Sequence, residues 1–354
     1  VAIGLFVRTK RAIGTLAKVY YADVWGDRKS KYTFLASTEV ESTDWVEVEP
    51  GMPSYLFKPQ SAEVKQEYEL GWKLQAAMGE NGDPAPGIVT TQDEFAISWS
   101  VADAKAKVYQ LLATANEQEA RAMWRLCTQN QWQYARAKAA LSSGSWEADI
   151  CPILYRPFDL RWTVYDSHVA VHRRERVMRH MRVGSNLALC ISRGFEIQTG
   201  YEHVFCSDNI IQHHTVSIKE VNFLFPLYLY PDKNKPGLFD GNMGVVSERR
   251  ANFSEAFIAH TTSQAGLKYT GDGRGDLTIS FGPEDLFHYI YAVLHSPAYR
   301  KRYEDFLKAD FARIPTTSDV NLFRKLVSSG AELVDLHLLR LPGGNGVGGN
   351  GGAA

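Results

Sequence analysis

The sequence predicts an α+β protein in which an antiparallel strand pair, a helical connector, a mixed β-rich domain and a set of C-terminal helices follow one another along the chain. Three observations carry this reading. Two apolar runs near the N-terminus, VAIGLFV from Val1 and AKVYYADVW from Ala17, have the β-branched and aromatic content of strands. Residues 101–141 are dominated by Ala, Leu, Gln, Arg and Lys, the composition of helices. From Cys151 to Tyr230 the texture changes to short β-rich runs, and helical spacing returns only after them.

A chain of 354 residues exceeds one ordinary core, so it is expected to divide. The expected parts are the strand pair and a connector over 1–60, a mainly helical connector over 61–148, the β-rich domain with its helices over 149–340, and a flexible Gly-rich tail over 341–354. Val1 to Val7 and Ala17 to Trp25, joined by RTKRAIGT, read as a hairpin, which needs further strands or helices on its faces. The first run has no starting Met and no preceding turn, as in a chain cut from something longer. Asp27 to Leu35 reads as a helix, and ESTDWVEVEPGMPSYLFKPQ, with three Pro, as a connector. After the breaker cluster GENGDPAPG, the segment GIVTTQDEFAISW is strand or extended loop, and Val108, Leu111 and Leu112 follow at helical spacing. Pro283, Pro297 behind Ser296, and Ser318 with Asp319 open three C-terminal helices. In the last of these, Leu322, Phe323, Leu326 and Val327, then Leu333, Leu336 and Leu339 beyond Gly330, are expected to face the core.

Composition narrows the function classes. Hydrophobic content of 45% and charged content of 22% are those of a soluble globular protein. The cysteines Cys127, Cys151, Cys190 and Cys206 lie far apart and make no metal-ligand spacing, which fits a reducing cytoplasm. No run approaches the roughly 20 apolar residues that span a bilayer, so no membrane is expected as a partner. The phosphate loop, the strand-linked Gly-rich fingerprint and the nucleophile elbow are all missing; GDGRGD lies in a polar loop.

One stretch stands out against a net charge of −1. YRPFDLRWTVYDSHVAVHRRERVMRHMR, beginning at Tyr155, concentrates Arg156, Arg161, Arg173, Arg174, Arg176, Arg179 and Arg182, with Arg193 shortly after. Read as a helix over 171–183, it places Val177, Met178 and Met181 on one face and Arg173, Arg176 and His180 on another. A solvated charged helix is the bland account, but Glu175 is the one acid close by, and Arg binds phosphate bidentately. Nucleic acid is therefore placed ahead of it. Trp162 reads as core, whereas His213, His214, Thr215 and Lys219 are candidates for base edges. A metal at His213–His214 is disfavoured because neighbours on a strand point to opposite faces, and Asp93 next to Thr reads as a capping acid. No residue of this chain stands out as catalytic.

The blocks VAIGLFVRTK, AKVYYADVWGDRKSKYTFL, GIVTTQDEF, YRPFDLRWTVYD with VMRHM, SRGF, FPLYLYPD and PEDLFHYIYAVLHSPAYRKRYEDFLKADFARIP, in that order, resemble the C-terminal part of type ISP restriction-modification enzymes and related adenine-specific DNA methyltransferases. The resemblance runs from Val1 to about Leu339. It implies that the first strands end a methyltransferase domain and that the remainder is connector and DNA target-recognition domain. It implies double-stranded DNA as partner, together with the upstream methyltransferase domain. The catalytic motif and the S-adenosylmethionine site would lie upstream, leaving no cofactor or metal in this chain. Thr91-Gln92 departs from the Asn-Arg or Gly-Arg pair expected before Asp93, which puts any special role for Asp93 in doubt. The competing readings are a protein-interaction scaffold whose Arg-rich face meets an acidic partner and, ranked last, a metal-dependent nuclease.

Overall fold

In the computed structural model, the residues described are 3–7, 17–51, 55, 57–59, 61–79, 84–195, 200–231 and 249–340. The chain divides into two units, residues 1–67 and 68–354.

In the first unit β1 (Val19–Tyr21) pairs antiparallel with β2 (Val46–Val48). Between them in sequence runs α1 (Arg28–Ser37), where the sequence reads a helix over Asp27 to Leu35; its N-cap Asp27 accepts from the Ser30 amide at 2.7 Å. The expected hairpin is corrected. Residues 3–7 are exposed and lie in no strand, and the partner of β1 comes from the stretch read as connector. There the Trp45 indole donates to the Val40 carbonyl at 2.7 Å and closes the turn that leads into the β-favouring Val46-Glu47-Val48. The division between units falls inside α2 (Ala62–Leu70).

The second unit begins with β3 (Trp72–Lys73), α3 (Leu74–Ala77) and β4 (Ala85–Pro86). The helical stretch follows as α4 (Asp93–Ala96), α5 (Val101–Ala113), α6 (Glu117–Met123) and α7 (Tyr134–Leu141). Ser100 caps α5 and Asn116 caps α6 by accepting the Asp103 and Glu119 amides. Phe95, Val108, Leu111, Trp124, Trp132 and Trp146 join their apolar faces into one core cluster.

The β-rich part comprises β5 (Ile150–Arg156), β6 (Asp159–Val164), the single turn α8 (Glu175–Met178), β7 (Ala188–Ser192), β8 (Val204–Ser207), β9 (Ile210–Ile211), β10 (Asn222–Pro226), β11 (Tyr228–Leu229) and β12 (Arg250–Ala251). One sheet has the order β6-β5-β9 and another β4-β10-β7-β8. Residues 85–89 tie the two together. Ala85 pairs with Leu224 of β10, Ile88 bridges Gln212 just past β9, and Val89 bridges His172. Gly87 sits at the crossing, where an added Cβ would stand 2.4 Å from the Gln212 carbonyl carbon, so only glycine fits. Ile88, Ile153, Tyr165, Met178, Cys190, Ile211 and Leu224 belong to one buried cluster spanning both sheets.

The helix expected over 171–183 is also corrected. Val89 holds His172 in a bridge, Arg174 adopts a left-handed φ of +52°, and only Glu175–Met178 is α-helical, followed by one 3-10 turn over Arg179–Met181.

The C-terminal part contains α9 (Glu255–Ala265), β13 (Lys268–Tyr269), β14 (Ser280–Phe281), α10 (Pro283–His295), α11 (Pro297–Arg302), α12 (Glu304–Leu307), β15 (Arg313–Ile314), which pairs with β3, and α13 (Val320–His337). Pro283 opens α10 as predicted. The fully buried Asp285 anchors that end, accepting from the Gly275 amide (2.6 Å), the Gly282 amide (2.9 Å) and Arg274 Nε (2.9 Å). Ser296 caps α11 and Asp319 caps α13, again as predicted. The core face of α13 agrees with expectation at Phe323 and Val327 and differs at its leucines. Phe323, Val327, Gly330 and Val334 are buried, whereas Leu322, Leu336 and Leu339 are 44%, 61% and 68% exposed. Among the described residues no helix is long and apolar enough to cross a membrane.

Candidate nucleic-acid interface

The β5–β6 register sets Ile150 opposite Val164 and Leu154 opposite Leu160, so Tyr155 and Tyr165 lie at opposite ends of one hairpin. Tyr165 lies level with Asp149, so at roughly 3.3 Å per residue the two ends are about 20 Å apart. The arginines that the sequence gathers into one stretch are thereby split between two aromatic centres, with Arg179 and Arg193 at two further places.

At the first end Arg156 lies 4.1 Å from the Tyr155 ring centroid and Arg161 lies 5.2 Å from it. Arg156 donates to the Tyr155 carbonyl (2.6 Å) and to Gln212 Oε1 (3.3 Å). The buried Gln212 also receives the His214 amide at 2.6 Å, so one amide oxygen joins the ends of β5 and β9. Arg161 grips Asp159 through Nε (2.5 Å) and Nη2 (2.9 Å) and lies 3.2 Å from the ring centroid of Trp99. These pairings leave capacity: a guanidinium has five N–H donors, and Asp159 takes two of Arg161's. The Tyr155 hydroxyl donates to Asp93 Oδ2 at 2.9 Å, and Thr90 donates to Asp93 Oδ1. Burial, with the Asp93 carboxylate beside it, holds the Tyr155 phenol above its ordinary value. Asp93 thus ties a loop to Tyr155 instead of capping backbone amides. The preceding Gln92 is a buried pin, donating to the Val169 carbonyl (3.0 Å) and accepting from the Cys127 amide (3.1 Å).

At the other end Arg173 and Arg182 lie 5.5 and 4.5 Å from the Tyr165 ring, paired to Glu175 (2.9 Å) and Asp149 (3.1 Å). Arg174 and Arg176 are exposed beside them. Arg179 instead donates to the Pro231 carbonyl at 3.3 Å. Arg193, paired to Asp310 at 2.8 Å, lines a separate open cleft with Lys219, Lys308, Glu220 and Phe195.

Four expectations change. His180 is buried, and its Nδ1 accepts from the Tyr230 amide at 2.9 Å, so burial, which pulls it down to about 4, leaves it neutral and outside any cationic face. Thr215 is buried with its hydroxyl 2.6 Å from the Gln212 carbonyl and 3.0 Å from that of Leu154, which removes it from the base-reading candidates. His213 and His214 do not diverge: the chain turns after β9 and their rings lie 3.9 Å apart. Burial and the neighbouring His214 bring His213 down to about 4, so it adds no charge near neutral pH. Trp162 is half-buried at the sheet edge, where it bridges Ser98. Among the described residues no group of three or more His, Cys, Asp or Glu is placed to hold a metal ion.

Sequence reasoning missed Trp99, 72% exposed, and Gln212, and it read as a cap the Asp93 that binds the Tyr155 hydroxyl. The signal for Trp99 was an indole directly before the N-cap Ser100, with only the small Ala104 at the position where a staple partner would stand.

The fold is similar to parts of three solved structures. The chain is similar to the cryo-EM DrdV–DNA complex (TM-score 0.62, 20% identity, covering 90% of this chain and 30% of that one). It is also similar to a nuclease-deletion mutant of the Type ISP restriction-modification enzyme LlaGI in complex with a DNA substrate mimic (0.58, 19%, 90% and 23%). A third likeness is to the ATP-dependent Type ISP enzyme LlaBIII bound to DNA (0.55, 18%, 83% and 18%). The chain spans less than a third of each of these proteins, and at such identities the likeness is one of fold. No curated protein matches the chain. The family described as the Type ISP C-terminal specificity domain matches residues 83–343, and the chain belongs to it.

Proposed function

We infer that the chain recognises the DNA target of a Type ISP restriction-modification enzyme. The observation that carries this is that the specificity-domain match over 83–343 contains the whole Tyr155-centred surface, a patch of guanidiniums on aromatic rings suited to phosphates and base edges. The similar solved structures were determined with DNA or a DNA mimic bound. In this reading Arg156 and Arg161, with His214, meet the duplex at one end of the hairpin, while Arg173, Arg174, Arg176 and Arg182 supply phosphate contacts at the other. Arg193 and Lys219 belong to a third patch. The partner within the longer enzyme is a methyltransferase domain that modifies an adenine amino group; S-adenosylmethionine is assigned to that domain and not to this chain. Methylation requires the adenine to leave the duplex stack, and the recognition domain holds the duplex in register meanwhile.

The test is duplex binding as a function of salt. Replacing Arg156 and Arg161 together by Ala should weaken binding and lower the magnitude of the log-affinity slope by about 0.9 for each phosphate left without its cation. A folded double variant with unchanged affinity and slope would remove this surface from the interface.

A further inference from the structure

Trp99 is the second most exposed tryptophan among the described residues after Trp25, at 72%. It stands at the position before the N-cap of α5, where an apolar side chain ordinarily packs onto the first turn of the helix. Such packing cannot account for its placement, because most of its surface faces solvent. Its backbone is nonetheless fixed: the Trp99 amide donates to Asp103 Oδ2 at 2.9 Å, and the adjacent Ser98 exchanges two 2.8 Å bonds with Trp162. One side of the indole lies against the guanidinium of Arg161, itself held by both oxygens of Asp159. A rigid indole backed by a cation, with the remainder of its surface open, is a stacking platform.

We propose that Trp99 stacks on a nucleobase that has lost its neighbour in the duplex. The inference rests on the DNA-recognition reading above and adds to it a residue and a ligand. A paired, stacked duplex presents π-faces only at its ends, so an open indole finds a partner where a base is unpaired, displaced or left without its mate. Arg161, which adjoins the indole, keeps N–H donors beyond the two bound by Asp159, suited to a phosphate of the strand that carries such a base. Arg161 acts here as a positioning residue that holds the ring at its angle.

The experiment measures affinity of the purified chain for intact duplexes carrying its target and for the same duplexes with a single unpaired base moved through successive positions. The expected result is tighter binding by about 5- to 150-fold when the unpaired base occupies one position, the equivalent of roughly 1–3 kcal/mol of stacking. Trp99→Ala should abolish that gain, so that the variant binds every unpaired-base duplex no better than it binds the intact one, and Trp99→Tyr should keep most of it. Equal gains in wild type and Trp99→Ala, or no gain at any position while intact duplex is bound, would overturn the inference and leave the recognition reading standing. Failure of the wild type to bind any duplex would overturn both.

Discussion

Arg161 shows how one side chain can serve both the fold and the surface. Its fork on Asp159 fixes the planar group, and the same plane carries Trp99. A lysine could not do both, having neither the fork nor the flat face, so Arg161→Lys should lower duplex affinity nearly as far as Arg161→Ala. Fluorescence anisotropy on one duplex with both variants checks this. Tyr155 is tied to the loop through Asp93, and Tyr155→Phe removes that bond while keeping the ring. The expected cost is about 0.5–1.5 kcal/mol, read by chemical denaturation. Residue identity marked Arg156 and Arg161 as candidates for anion binding. It could not show that His180 and Thr215 are buried, because burial is decided by Tyr230, Gln212 and Leu154, which are distant in sequence or lie across a turn. Trp99 was missed for the converse reason. Its exposure depends on what fails to pack on it, and an isolated tryptophan in sequence reads as core.

Among the elements, local signals were read well where capping chemistry decides them. Asp27, Ser296, Pro283 and Asp319 each open the helix that the sequence assigns to them. Signals failed where pairing decides the outcome. The bridge at His172 and the left-handed Arg174 interrupt what periodicity reads as one basic helix, and β1 takes its partner from β2. In α13 the leucine spacing misplaces the buried face because the close approach is made by a glycine. A Cβ on Gly330 would lie 1.9 Å from the His288 carbonyl oxygen, whereas one on Gly266, the left-handed cap of α9, would meet nothing within 4 Å. Gly330→Ala should therefore destabilise by about 1–3 kcal/mol or more as α13 is pushed from α10. Gly266→Ala should cost about 1–2 kcal/mol through its backbone conformation alone. Parallel denaturant titrations give the comparison, and an equal loss at both sites would contradict the packing assigned to Gly330.

Along the whole chain, charge nearly balances. A net charge of −1 offers a phosphate backbone no overall attraction, so affinity depends on where the arginines stand. Burial also stores a pH dependence. His180, His288 and His295 are each held down to about 4, mainly by desolvation. Between an unfolded value near 6.5 and a folded value near 4 the unfolded chain binds more protons, so stability falls as pH drops through that window and is unaffected by these groups above it. His288→Gln should flatten the decline between pH 6.5 and 4 in a series of thermal melts. The family assignment was legible because long ordered blocks such as PEDLFHYIYAVLHSPAYRKRY survive as the buried α10 and the helix after it. The basic stretch that suggested an interface folds into a hairpin with an arginine-on-tyrosine centre at each end, which residue spacing alone did not show. The most direct measurement of the central claim is retention of a randomised duplex pool by the purified chain at low and high salt, followed by sequencing of the bound DNA. The account predicts enrichment of one short motif, with retention that falls as salt rises; retention without any motif, or no retention at low salt, would contradict it.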